Sequence, residues 1–336
     1  MPYHVQTFHN VASFPVGLFL RRNLTAHVVL TRYISCPEDF LRGIAVRQAI
    51  KVRNALQAFH NSGFNTPCAV ADKILHRVRA LQERNYRPFF IMGAGGSGST
   101  WLGAMLGDLR GFCYGGEIYT PLGLSYLYRF RKSREMADLI WAIMLLHSWA
   151  STGPAVVFDC EFVNSGRSVF QYPLYREIWP TGRFVYLVRD PRDQVLSTTY
   201  RKARYRKAVA PGVDDLRYLK HNAKKYMSIY GAFAKLNRHQ VYILKYEQLV
   251  QNRVDQLTKL LQWAEVKVDE GGLSTVVNLH DADRMRNGEV AWRGNLDEGG
   301  RAESWRQRMT EQERNVIKPI LQKAIEAFGY EKDSGW

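Results

Sequence analysis

From Tyr86 onward, short wholly apolar runs alternate with longer helical stretches, and this alternation constrains the fold more than any other feature of the chain. "PFFIMG", "AVVFD", "RFVYLV" and "QVYILKY" lack the in-and-out pattern of a half-exposed strand, so they read as strands buried on both faces. Between and after them, "TWLGAMLGDL", "SVFQYPLYREIW", "DQVLSTTYRKA", "LRYLKHNAKKYMSIYGAFAKL" and "EQLVQNRVDQLTKLLQWA" read as helices. A parallel sheet flanked by helices is the expectation. "TEQERNVIKPILQKAIEAFGY" reads as a closing helix, with Thr310 as N-cap, Glu313 completing a capping box, and Pro319 marking a kink or boundary. Residues 1–85 read as a helical extension built on "LRGIAVRQAIKVRNALQAFH" and "CAVADKILHRVRALQERN", separated by "NSGFNTP". Residues 86–336 then form the main domain.

At 336 residues and 46% hydrophobic, the chain has enough apolar surface for a large core, which excludes disorder. The 47 Lys and Arg against 31 Asp and Glu leave +16, which favours anionic partners without choosing among nucleotides, sulfated glycans, nucleic acid and acidic membranes. There is no helix-turn-helix, zinc-finger or RNA-binding aromatic motif, so no nucleic-acid partner is expected. Cys36, Cys68, Cys113 and Cys160 are scattered, without metal-ligand spacing or a disulfide framework, and fit a reduced, cytoplasmic setting. "FPVGLFL" and "LIWAIMLL" are too short to span a bilayer, and the start lacks the pattern of a signal peptide.

Directly after the first strand comes "GAGGSGSTWL", residues 93–102. Gly93 to Thr100 has Walker A spacing, with glycines that let backbone amides converge on a phosphate at a helix N-terminus. The Walker lysine position, however, holds Ser99. A charge-assisted hydrogen bond is worth about 1.5–3 kcal/mol, so an ATPase or GTPase without it is not expected. "YLVRDPRDQVLSTTY", residues 186–200, supplies a second anion grip: Arg189 ends a strand, Pro191 starts a helix, and Ser197 lies about two turns along it.

These two segments, in this order, resemble the nucleotide-binding motifs of sulfotransferases that use 3′-phosphoadenosine 5′-phosphosulfate (PAPS). The resemblance implies a P-loop-like three-layer α/β fold with a central parallel sheet. It also implies that Gly95, Gly96, Ser97, Gly98, Ser99, Thr100 and Trp101 surround the 5′-phosphosulfate end, with Arg189 and Ser197 on the 3′-phosphate. The lysine or arginine that the family places before Ser-Gly falls here on Gly96. "GGRAESWRQRMTEQE" is similar to the family's third element, which closes over the nucleotide and makes Arg301, Trp305 and Arg306 further candidates. The final "FGY" fits bacterial members, and the likeness spans residues 86–331.

The family's catalytic histidine would follow the strand "VVFDCEF", which contains none. Tyrosine and carbohydrate sulfotransferases use a glutamate after the first loop instead, and "FCYGGEIY" places Glu117 at the matching distance. Glu117 is therefore the expected base, with Asp159 in reserve, His147 read as a packed helix residue, and Ser99 assisting in the loop. Phe158 stands where the family often has a lysine, and Arg167, Arg301 or Arg306 is a candidate for the missing charge. The expected reaction moves a sulfuryl group from PAPS to a hydroxyl, preferably of a carbohydrate, with a tyrosine peptide, lipid or small natural product as other acceptors. No metal is required. A nucleotide- or polyanion-binding protein without turnover is the alternative, and "YRKARYRKAVAP" reads either as a guide for an acidic acceptor or as a solvated loop.

Overall fold

Apolar runs buried on both faces have no surface to offer water, and they pair in parallel only when helices cross over between them. In a computed structural model, which describes residues 67–83, 87–117, 128, 134–152, 161–166, 168–200, 212–281, 302–332 and 335–336, the chain follows this rule. Its described elements are α1 (Pro67–Glu83), β1 (Phe89–Met92), α2 (Ser99–Gly107), β2 (Phe112–Glu117), α3 (Arg134–Thr152), β3 (Glu161–Gly166), α4 (Tyr172–Ile178), β4 (Arg183–Val188) and α5 (Pro191–Tyr200). They continue with α6 (Asp215–Phe233), β5 (Val241–Lys245), α7 (Tyr246–Gln251), α8 (Arg253–Trp263), α9 (Glu270–Leu279), α10 (Trp305–Arg308) and α11 (Glu311–Ala327).

The described residues divide into two compact units. One lies within Met1–Pro88, Gly111–Asn164 and Pro173–Gly182, the other within Phe89–Arg110, Ser165–Tyr172 and Arg183–Trp336. In the second, β4 lies between β1 and β5, parallel to both, with Phe89 opposite Arg183 and Val188 opposite Lys245. Every residue of β1 and β4 is buried, while β5 is only partly covered. Arg183 is tolerated inside because its Nε donates to the Ala264 carbonyl at 2.8 Å and its guanidinium lies over the Phe89 ring. Stacking of Tyr186 on Phe233, with centroids 3.9 Å apart, joins the sheet to α6, and Phe328 closes the same cluster beyond α11. In the first unit Trp141 of α3 stacks on Trp179, and Gln82 of α1 donates to Asp138 of α3 at 2.7 Å.

Several local expectations hold. The capping box of Thr310 and Glu313 is formed, and α11 runs from Glu311 to Ala327 with Pro319 inside it. The predicted helix over residues 247–264 is instead two, because the Asn252 side chain accepts from the Asp255 amide and caps α8 afresh. "FCYGGE", which is not among the predicted strands, forms β2: the aromatic and cysteine start sets the extended backbone that its glycines alone would not favour. The predicted strand at 155–159 and the helix over 41–60 lie outside the described residues, whereas α1 is the second of the two N-terminal helices predicted. No helix among the described residues is long and apolar enough to cross a membrane.

A charged cluster is buried where the C-terminal segment meets α5. Arg192, 1% exposed, pairs with Asp190 at 2.7 Å and with Glu331 at 2.8 Å. Its guanidinium lies 3.8 Å from the Trp305 ring centroid and 5.0 Å from that of Trp336. Burial alone would lower the Arg192 pKa, but the two carboxylates outweigh it and raise the value. Removing one member strands the others inside, a loss of about 3–5 kcal/mol. Arg192→Ala is expected to lose about that much stability in chemical denaturation, and a variant as stable as the parent would show that the cluster holds nothing together.

Candidate functional site

Three strand-to-helix junctions lie side by side at the carboxyl ends of β1, β4 and β5, the edge where parallel sheets bind ligands. In the first, the Ser97 amide donates to the Ala94 carbonyl at 3.2 Å, and the first helical bond runs from Leu102 to the Gly98 carbonyl at 3.0 Å. The amides of Gly98, Ser99, Thr100 and Trp101 are the ones a helix start leaves without a carbonyl four residues back, and the N-cap, Gly98, has no side chain to cap α2. Gly96 and Gly98 have φ of +88° and +93°, left-handed values that turn the chain back on itself. At Gly98 a Cβ would also stand 2.8 Å from the Tyr246 ring. The lysine absent at Gly96 thus reflects the backbone itself, since a lysine there would be strained. Gly95 and Thr100 are exposed, Ser99 is half-buried, and Ser97 is fully buried.

The second junction closes against the first. Arg189, 2% exposed, donates from Nη1 to the Gly96 carbonyl at 3.1 Å, and its guanidinium lies 4.7 Å from the Tyr246 ring centroid. Gln194 adds a hydrogen bond from Nε2 to the Gly95 carbonyl at 3.2 Å. Ser197, two turns along α5, faces the same loop: a Cβ at Gly96 would come within 3.5 Å of its Oγ. Among the described residues, the buried hydroxyls of Ser97 and Ser197 have no hydrogen-bond partner. Two such groups beside one loop call for an acceptor or donor from outside, because burial without a partner costs about 1–3 kcal/mol each. The motifs that the sequence separates thus make one site, with amides, two hydroxyls and a guanidinium around it.

Asp193 links this site to the C-terminal segment. Its Oδ1 accepts from Ser304 Oγ and from the Trp305 amide, both at 2.7 Å, while Oδ2 lies 4.0 Å from Arg189 Nη2. Burial pushes the carboxyl up, against the pull of the Arg189 charge and the Ser304 hydrogen bond. Trp305 is 2% exposed and its ring is packed on Arg192. Arg306 is half-exposed and pairs with Glu303 at 3.3 Å and Glu331 at 3.5 Å. Trp101 is likewise a packed residue: its Nε1 donates to the His280 carbonyl at 2.9 Å and its ring meets the edge of Tyr246. Glu117 is the last residue of β2, in the other unit. Phe158, Asp159, Arg167 and Arg301 lie outside the described residues.

Sequence reasoning missed Arg192, Tyr246 and Glu247, whereas Asp193 is one of the two carboxylates that could be expected to pair with Arg189. The signal for Arg192 was present in "RDPRD", where Asp190 and Arg192, opposite charges two residues apart at a helix start, can fold back on one another. Among the described residues, no group of three or more His, Cys, Asp or Glu is placed to hold a metal.

Residues 162–270, which include Arg189, Ser197, Tyr246 and Glu247, match the model of the Sulfotransferase family. The chain also superposes on the mouse sulfotransferase SULT7A1 complexed with PAP, with a TM-score of 0.51 and 12% identity over 71% of this chain and 85% of that one. The matched segment is similar to sulfotransferases, and the fold is one that a solved sulfotransferase shares. Other solved sulfotransferases align less closely. The domain from the Synechococcus PCC 7002 olefin synthase has a TM-score of 0.44 and 15% identity, covering 73% and 96% of the two chains. Sulfotransferase STF9 from Mycobacterium avium has 0.45 and 12%, covering 87% and 96%. The fold assignment rests on the mouse enzyme. No curated protein matches the sequence.

Two outcomes follow from this geometry. Gly98→Ala places a Cβ against Tyr246 at a left-handed φ, and is expected to lose at least about 1–2 kcal/mol of stability; a neutral variant in denaturation would contradict the loop conformation. Asp193 has a folded pKa above its ordinary 3.8, so its contribution to stability is present below that value and lost as pH rises through the folded value. Asp193→Asn, which cannot titrate, should gain on the parent in thermal denaturation as pH rises from about 4 to about 7; a gap moving the other way contradicts the burial effect.

Proposed function

We propose that the chain transfers a sulfuryl group from PAPS to a carbohydrate hydroxyl. The observation that supports this most is the convergence of the uncapped α2 amides, the buried hydroxyls of Ser97 and Ser197, and the Arg189 guanidinium on one glycine loop. That set suits a nucleotide with two anionic ends. The Ser97–Thr100 backbone and the Ser99 hydroxyl would hold the 5′ end, and Arg189 with Ser197 the 3′-phosphate. The donor supplies an activated sulfuryl group whose leaving group is a phosphate.

In the reaction the acceptor oxygen bonds to sulfur as the bond between sulfur and the 5′-phosphate oxygen breaks. The acceptor's proton passes to the Glu117 carboxylate, a role that rests on its place in the sequence after the loop. Amides at the start of α2 and the Ser99 hydroxyl donate to the charge gathering on the departing phosphate. The net charge of +16 favours an acidic acceptor, hence a glycan bearing uronate or sulfate groups. The scattered cysteines favour a reduced, cytoplasmic setting for the reaction.

The second reading, nucleotide binding without turnover, is motivated by Gly96: its φ of +88° builds the absence of the loop cation into the backbone. Transfer of radiolabelled sulfate from PAPS to a panel of glycans, a tyrosine peptide and a lipid alcohol separates the two. Transfer to a glycan by the parent, lost in a Glu117→Gln variant that still binds 3′-phosphoadenosine 5′-phosphate (PAP), is the expected result. PAP binding with no transfer to any acceptor supports the second reading, and transfer only to the peptide or lipid refutes the carbohydrate. Arg189→Ala is expected to weaken PAP about 10- to 100-fold in calorimetry, with denaturation of the nucleotide-free variant showing that it remains folded.

A further inference from the structure

After Asp215 in its first turn, α6 carries no acidic residue as far as Phe233, and its outer face is a row of cations. Arg217, Lys220, His221, Lys224 and Lys225 are exposed, whereas Leu219, Asn222, Ala223 and Tyr226 face the core. At 3.6 residues per turn, Arg217, Lys220, His221 and Lys224 fall on one stripe about 10 Å long. The side chains of Arg217, Lys220 and Lys224 form no ion pair among the described residues. This arrangement costs the helix stability. Lys220 and Lys224 repel one another four residues apart, and Arg217 stands in the first turn, where the helix dipole is positive. Asp214 and Asp215 compensate only at the helix start, so the rest of the row would gain from an anion brought from outside.

The row also stands at the edge of the sheet where the glycine loop lies. Burial raises the Tyr226 pKa, and among the groups that add to the rise are Asp190 and Glu247, just beyond the carboxyl ends of β4 and β5. Two turns further on, Phe233 stacks on Tyr186 inside β4. α6 therefore descends from the ligand edge toward the body of the sheet, and the cations, which precede Tyr226, occupy its upper end. We propose that this face of α6 is a docking surface for an acidic glycan, holding uronate or sulfate groups of the acceptor chain while a hydroxyl of the same chain reaches the transfer site. The inference rests on the reading of the glycine loop as a PAPS site with a carbohydrate acceptor. A polymer with anions repeated along its length matches a straight row of cations. The apolar side of α6 is committed to the core, which leaves nothing to insert into a membrane, and its outer face offers no exposed Phe, Tyr or Trp on which bases could stack.

The test is calorimetric titration of the full chain with a heparin octasaccharide as the acidic probe, beside separate titrations with PAP. Arg217→Ala, Lys220→Ala and Lys224→Ala combined are expected to weaken the octasaccharide about 5- to 50-fold, by a factor that shrinks as salt rises, with PAP affinity as in the parent. A control combining Lys259→Ala, Lys267→Ala and Lys323→Ala, exposed cations outside α6, removes the same charge and is expected to lose about 2-fold or less. Equal losses in the two triple variants would assign binding to the overall charge of +16 and overturn the proposal. So would a duplex oligonucleotide or phosphatidylserine vesicles that bind through α6 more tightly than the octasaccharide. If the first triple variant fails to fold, Lys220→Gln with Lys224→Gln carries the same comparison. A parent that binds PAP but not the octasaccharide overturns the docking surface alone, whereas one that binds the octasaccharide through α6 but not PAP refutes the functional reading of the loop.

Discussion

The hydrogen bond from Arg189 to the Gly96 carbonyl joins the ends of two neighbouring strands, and the arrangement of the site depends on it. A left-handed glycine presents its carbonyl to the next junction, and a buried guanidinium needs acceptors of that kind. Each partner satisfies the other, and the Ser97 and Ser197 hydroxyls lie beside the same glycine loop. The arginine is itself steadied by the Tyr246 ring and the Asp193 carboxylate.

The loop's missing cation takes on a definite meaning in this setting. A lysine on the loop would bring its charge from the β1–α2 turn, whereas here the guanidinium comes from the adjacent strand and touches the position where the lysine is absent. Asp193 sets a counterweight. Its second oxygen faces Arg189 at 4.0 Å, so an incoming phosphate competes with a carboxylate whose burial already favours the neutral form. The same Asp193 caps the Ser304–Trp305 turn, which couples the C-terminal segment to Arg189 through one side chain.

Much of this was legible in the sequence because the signals were local. Runs such as "FFIM" and "RFVYLV" can hardly be anything but buried strands, and the capping box at Thr310 is specified within four residues. The glycine loop and Arg189 with Ser197 were visible for the same reason. Contacts set by tertiary structure were not. Trp101 and Trp305 have the composition of ligand-stacking residues, and only the fold shows Trp101 bonded to the His280 carbonyl and Trp305 covered by Arg192. Tyr246 and Glu247 sit at a junction with no glycine or anion motif of its own, so their role exists only through neighbours more than fifty residues away. The strand at "FCYGGE" was hidden by glycines that usually mark a turn.

The central claim is that one adenine nucleotide bridges the first two junctions. A crystal structure of the protein with PAP tests it most directly. The account predicts the 5′-phosphate against the Ser97–Thr100 amides and the 3′-phosphate on Arg189 and the Ser197 hydroxyl. A nucleotide bound elsewhere, or one whose phosphates leave both serine hydroxyls without a partner, would contradict it.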